Sequence, residues 1–133
     1  MIEGEGNRNL MCKLVVVIDD SLTVCKIVET CLEREGYKVK SFHDGIEVLR
    51  WLMSPEACIP KLMLLDIGLP RMDGYTIVQA LKKKPEFGDT VFVMISRHGG
   101  MADRLKARLA GARGLLPKPF TTQDLVTLAH YYV

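Results

Sequence analysis

Apolar residues follow two rhythms along this chain. Leu14–Ile18 (LVVVI), Leu62–Leu65 (LMLL) and Val91–Ile95 (VFVMI) are continuous apolar runs rich in β-formers. A strand that is apolar at every position needs cover on both faces, as in a parallel sheet flanked by helices. Tyr37–Phe42 (YKVKSF) instead alternates apolar with polar and predicts an edge strand. Leu115–Leu116 is the fifth and shortest candidate.

Between these runs the apolar spacing lengthens to the helical period. Ser21 suits an N-cap, and Val24, Cys25, Val28, Cys31 and Leu32 then share one face up to Gly36. Gly45–Met53 carries Ile46, Val48, Leu49 and Leu52, and Tyr75–Lys83 carries Ile77, Val78 and Leu81 before Pro85. Ala102–Ala110 presents Leu105 and Leu109 as its apolar positions, with Gly111 as its stop. Thr121–Tyr132, capped by Thr121 or Thr122, carries Leu125, Leu128, Ala129 and Tyr132. Strand and helix alternate five times, which predicts an α/β fold: an open, doubly wound parallel sheet with helices on both faces. The functional crevice of such a sheet lies outside the carboxyl ends of its strands.

The 133 residues suit one domain, with residues 1–11 as a flexible N-terminal tail and 12–133 as the folded unit. A net charge of +2 is too small to imply nucleic acid as a direct partner. No apolar run reaches the ~20 residues needed to span a bilayer, and the polar start is no signal peptide. Cys12, Cys25, Cys31 and Cys58 form no C-x-x-C pair. They are expected to be reduced and used as small hydrophobes, which implies a cytoplasmic location.

The chemistry gathers at strand ends. Asp19 and Asp20 directly follow the first strand, Asp66 the third and Ser96 the fourth, while Lys118 follows the fifth. All should meet on one rim. Three carboxylates there repel one another and recruit a hard divalent cation with oxygen ligands. A carboxylate beside Mg²⁺ can attack phosphorus, with an ammonium and a hydroxyl to hold the phosphoryl oxygens. Singly, each residue is unremarkable: Asp-Asp caps helices, and Lys-Pro is a common loop pair. Their joint placement at the strand ends is what points to phosphoryl chemistry.

The order IDDS…LLDIGLPRMDG…MISRHGG…LPKPF, over about residues 13–132, resembles the receiver domain of bacterial two-component response regulators. That resemblance implies a flavodoxin-like (βα)₅ fold with strand order 2-1-3-4-5. It further implies a phosphoprotein rather than an enzyme, whose only activities are its own phosphorylation and dephosphorylation. Carried over by position, Asp66 is the phosphoacceptor, Ser96 the switch hydroxyl and Lys118 the phosphate partner. Asp20, Asp66 and the Gly68 carbonyl would ligate Mg²⁺ (or Mn²⁺ in its place), with Asp19 acting through water. The Lys118–Pro119 bond would be cis. Pro70, Asp73 and Gly74 match the loop after the acceptor, where Gly74 is expected to permit a tight turn. A histidine kinase or phosphotransfer protein would donate the phosphoryl group. A downstream protein would dock on the fourth helix, fifth strand and fifth helix, where Arg104, Lys106, Arg108 and Arg113 give a basic character. Asp-Asp-Ser-x-Thr resembles the stand-alone receivers of twitching-motility and chemotaxis-like pathways.

Two positions depart from the pattern. Arg97 follows the switch hydroxyl where a small residue is usual: a long cation there either covers or contacts the phosphoryl site, which would slow loss of the phosphoryl group, or simply points into solvent. Leu115 stands where the family commonly has Tyr or Phe, so no rotating aromatic can report phosphorylation. A haloacid dehalogenase-like phosphatase would need a second Asp two residues after a strand-one nucleophile. Ser21 stands at that place. A docking module that no longer accepts phosphate is the remaining alternative.

Overall fold

Alternate residues of the first strand serve two different cores. In the computed structural model, which describes residues 11–133, Val15 and Val17 pack on one face of the sheet and Leu14, Val16 and Ile18 on the other. This explains the unbroken apolar runs: side chains alternate across a strand, and here each side meets a helical layer. The strands are β1 (Met11–Ile18), β2 (Lys38–Phe42), β3 (Ile59–Asp66), β4 (Val91–Ser96) and β5 (Gly114–Pro117). The helices are α1 (Leu22–Arg34), α2 (Gly45–Leu52), α3 (Gly74–Lys82), α4 (Met101–Ala110) and α5 (Thr122–Tyr132). A short 3₁₀ turn, Pro85–Phe87, follows α3. All strand pairs are parallel, in the order β2-β1-β3-β4-β5. The doubly wound, flavodoxin-like (βα)₅ fold is thus observed. The expected tail lies outside the described residues except for Met11, with which β1 begins.

Helices α1 and α5 cover one face through Cys25, Val28, Leu32, Leu125 and Ala129. Helices α2, α3 and α4 cover the other through Val48, Ile77, Val78, Leu81 and Ala107. Each fully buried Leu, Ile or Val side chain contributes about 1.5–3 kcal/mol relative to exposure. The caps follow the sequence. Ser21 Oγ accepts from the Val24 amide, and Thr121 forms a capping box with Asp124. Gly36 and Gly111 take positive φ just past their helices.

Three expectations are corrected. Helix α4 buries Ala107 and Ala110, while Leu105 and Leu109 lie 58% and 78% exposed. Both readings satisfy the helical period, and the face turned inward is the one that carries the small side chains. Cys12 and Cys58, expected to be reduced, form a disulfide. Cys12 lies at the start of β1 and Cys58 just before the neighbouring parallel strand β3, which sets their Cα atoms 6.1 Å apart, within bonding range. Cys25 and Cys31 remain free and buried. Finally, Gly74 does not have positive φ. A Cβ there would lie 2.7 Å from the Asp66 carbonyl oxygen and 2.5 Å from Met94 Cε, so close packing, not turn geometry, calls for glycine.

Candidate functional site

Asp66 and Ser96 are the last residues of their strands rather than the first residues after them. Asp66 pairs in register with Ile95, and Ser96 with Pro117. Asp19 follows β1 directly, its amide donating to the Phe42 carbonyl at 3.0 Å. Lys118 follows β5, its amide donating to the Ser96 carbonyl at 2.7 Å. Ladder hydrogen bonds therefore carry all four positions to the same rim, and the Lys118–Pro119 bond is cis.

On that rim Asp19, Asp20 and Asp66 each offer a carboxylate oxygen, all within 4.8 Å of one another. Asp19 is fully buried, Asp66 half-buried and Asp20 exposed. Lys118 Nζ lies 2.8 Å from Asp19 Oδ2 and 3.2 Å from Asp66 Oδ2. The remaining oxygens are braced by backbone: the Ser21 amide donates to Asp19 Oδ1 at 2.9 Å, and the Gly68 amide to Asp66 Oδ1 at 3.0 Å.

The electrostatics are unbalanced. One ammonium among three carboxylates leaves two formal negative charges uncompensated. Burial raises the Asp19 carboxyl above its ordinary range, against the opposing hydrogen bond from Lys118. Burial also pulls on Lys118, in the lowering direction, but its hydrogen bond to Asp19 and the charges of Asp19 and Asp66 outweigh that and raise it. An all-oxygen donor set with excess negative charge, open to solvent at Asp20, fits a hard divalent cation.

The switch hydroxyl is the expected residue that does not reach this cluster. Ser96 Oγ donates to the His98 carbonyl at 2.8 Å and accepts from the His98 amide at 2.9 Å. Arg97 is exposed beside it, and Leu115 is buried against the α2–α4 layer. Cys25 lies behind the site, its thiol donating to the Asp19 carbonyl, and burial pushes it up to about 11. That thiol is inert at neutral pH.

A tie absent from the sequence reading joins two rim loops. Arg71, in the loop after Asp66 and with φ 66°, forms an ion pair with Asp44, which caps α2 through the Glu47 amide. That amide and then Arg71 hold the Asp44 carboxyl below its usual range. A sequence separation of 27 leaves no local pattern to detect. The non-glycine positive φ emerges only from the folded loop.

Residues 15–130 match the family model described as response regulator receiver domain. Protein PilG of Pseudomonas aeruginosa is 34% identical over 84% of this chain and 81% of its own length. The probable transcriptional regulator ycf27 of Cyanophora paradoxa is 34% identical over 85% of the chain, which spans only 45% of that relative. Among solved structures, the chemotaxis response regulator CheY4 of Vibrio cholerae superimposes with a TM-score of 0.83 at 25% identity. That match covers 90% of this chain and 98% of CheY4. Motif order, fold and rim chemistry converge with these matches: the chain belongs to the response regulator receiver domain family, the phosphoaccepting modules of two-component signalling.

Proposed function

We propose that Asp66 is the phosphoacceptor and that Asp20, Asp66 and the Gly68 carbonyl hold Mg²⁺, with Asp19 acting through water. The grouping of three carboxylates around one lysine carries this reading. When bound, the metal neutralises excess negative charge and that of the incoming phosphoryl group. A phosphohistidine of a kinase or phosphotransfer protein supplies the phosphoryl group. An Asp66 carboxylate oxygen forms the new O–P bond as the N–P bond breaks, and the electron pair leaves with the imidazole. The Gly68 amide orients the Asp66 carboxylate. Lys118 then balances charge on the phosphoryl oxygens, and Ser96 leaves His98 to donate to one of them. No further substrate is turned over.

The resulting population shift alters a docking face formed by α4, β5 and α5. Met101, Leu105 and Leu109 stand at i, i+4 and i+8 on α4 and are exposed. Arg104, Arg108 and Arg113 line the adjoining groove of about 520 Å³. An amphipathic partner segment with acidic side chains fits that combination. Among the described residues no helix is long and apolar enough to cross a membrane. The protein acts in the cytoplasm, where its phosphoryl donors work, although the paired Cys12 and Cys58 withdraw the cysteine support for that location.

Incubation with acetyl phosphate and Mg²⁺, read by intact mass, tests the assignment. The expected result is one added phosphoryl group in the native chain and none in Asp66→Asn. Unmodified native protein would instead favour the docking module that accepts no phosphate.

A further inference from the structure

The switch hydroxyl is held away from Asp66 by a loop with few restraints. Residues 97–100 run from the end of β4 to the start of α4, and all four are exposed. Among the described residues, only two side chains hydrogen-bond to this loop. Ser96 engages both polar groups of the His98 backbone, and Arg104 Nε donates to the Gly99 carbonyl at 3.1 Å. The Arg104 amide also donates to the Gly100 carbonyl at 3.1 Å, in the first turn of α4, where Gly100 supplies no side-chain cap. One residue thus grips the last two carbonyls of the loop, through side chain and main chain. Gly99 is pressed against the end of β5 as well: a Cβ there would sit 3.3 Å from Pro117 Cβ.

For Ser96 to reach a phosphoryl oxygen, it must release the His98 carbonyl, and the short segment to Gly99 must shift with it. We infer that Arg104 is a positioning residue whose side chain latches the 97–100 loop in the unphosphorylated arrangement. The latch sets how readily Ser96 turns toward the acceptor. It rests on the reading of Asp66 as phosphoacceptor and adds a regulator to that site. Its weight is that of one exposed, charge-assisted hydrogen bond, so loss of the latch should tighten binding of a phosphoryl mimic by about two- to tenfold. Arg104 also lines the α4–β5 groove, so the loop and the proposed docking face share this side chain.

The test measures beryllofluoride affinity in Mg²⁺ by titration of backbone amide resonances. Arg104→Met carries the side chain only as far as the Nε position and has no donor, whereas Arg104→Gln places an uncharged N–H donor where Nε stood. The expected result is tighter binding in Arg104→Met and native affinity in Arg104→Gln, with both melting points near the native value. Equal affinity in Arg104→Met and the native chain would overturn the latch. So would equal tightening in Met and Gln variants, because charge rather than the Gly99 bond would then be responsible. If the native chain itself failed to bind beryllofluoride, the phosphoacceptor reading would fall instead, and the latch with it.

Discussion

Replacing Gly74 with alanine places one methyl group at the narrowest contact near the phosphoacceptor. The new Cβ would lie 2.7 Å from the Asp66 carbonyl oxygen and 2.5 Å from Met94 Cε. Ordinary carbon–oxygen contacts begin at about 3.3 Å, so the Asp66 backbone or the start of α3 must retreat by roughly 0.6 Å. Met94 is a flexible side chain but is fully buried within the core layer, where interiors are close-packed. Overpacking of this kind costs about 1–3 kcal/mol, or roughly 3–12 °C of melting temperature for a chain of this size. The functional loss should be larger than the stability loss suggests. Misplacement of a reacting group by about 1 Å can cost ~100-fold in rate, so a shift of half that at Asp66 should slow phosphorylation by about tenfold. Thermal melts followed by circular dichroism give the first quantity, and a mass-spectrometric time course with acetyl phosphate the second. Gly114→Ala is the control, since a Cβ there meets nothing within 4 Å. A Gly74→Ala protein that melted and phosphorylated like the native chain would refute the close-packing argument. One that melted lower yet phosphorylated normally would show that the strain is taken up at Met94 rather than at Asp66.

Three further outcomes are expected. Reduction should lower the melting temperature, because the Cys12–Cys58 bridge spans a sequence separation of 46; the chain-entropy model assigns such a loop about 4 kcal/mol. A melt unaffected by reductant, or by Cys12→Ser, would contradict a stabilising bridge. Because burial raises Asp19, the folded chain keeps that proton at pH values where the unfolded chain, with an ordinary value of 3.8, has lost it. Its contribution to stability is therefore largest at low pH and is lost as pH rises through the folded value. In metal-free buffer the native protein should lose more stability than Asp19→Asn as pH rises above that ordinary value, and parallel curves of stability against pH for the two would exclude this. Lys118, also raised, adds a loss above its ordinary 10.5. Arg97→Ala should shed its phosphoryl group faster than the native chain, measured as the decay of phosphorylated mass after donor removal; an unchanged or slower decay would count against a covering role for Arg97.

Much of the site is legible in the sequence because its residues are tied to strand ends. Once the unbroken runs at Leu14–Ile18, Leu62–Leu65 and Val91–Ile95 are read as parallel strands, topology alone brings Asp19, Asp66 and Lys118 to one rim. Caps were legible for a similar reason: Ser21 and Thr121 act on amides three residues away. The state of Ser96 was not, since its hydroxyl had two possible partners and only the loop conformation selects His98.

By itself, then, the sequence determined the alternation of elements, the double cover of the sheet and the identity of the rim residues, because periodicity and capping act over a few residues. The tertiary structure alone decided that α4 turns Ala107 and Ala110 inward and Leu105 and Leu109 outward, since both choices keep the helical period. It also decided the pairing of Cys12 with Cys58, the tie between Asp44 and Arg71 and the need for glycine at position 74. Each of these depends on the distance between segments remote in the chain, a quantity that no local pattern of residues encodes.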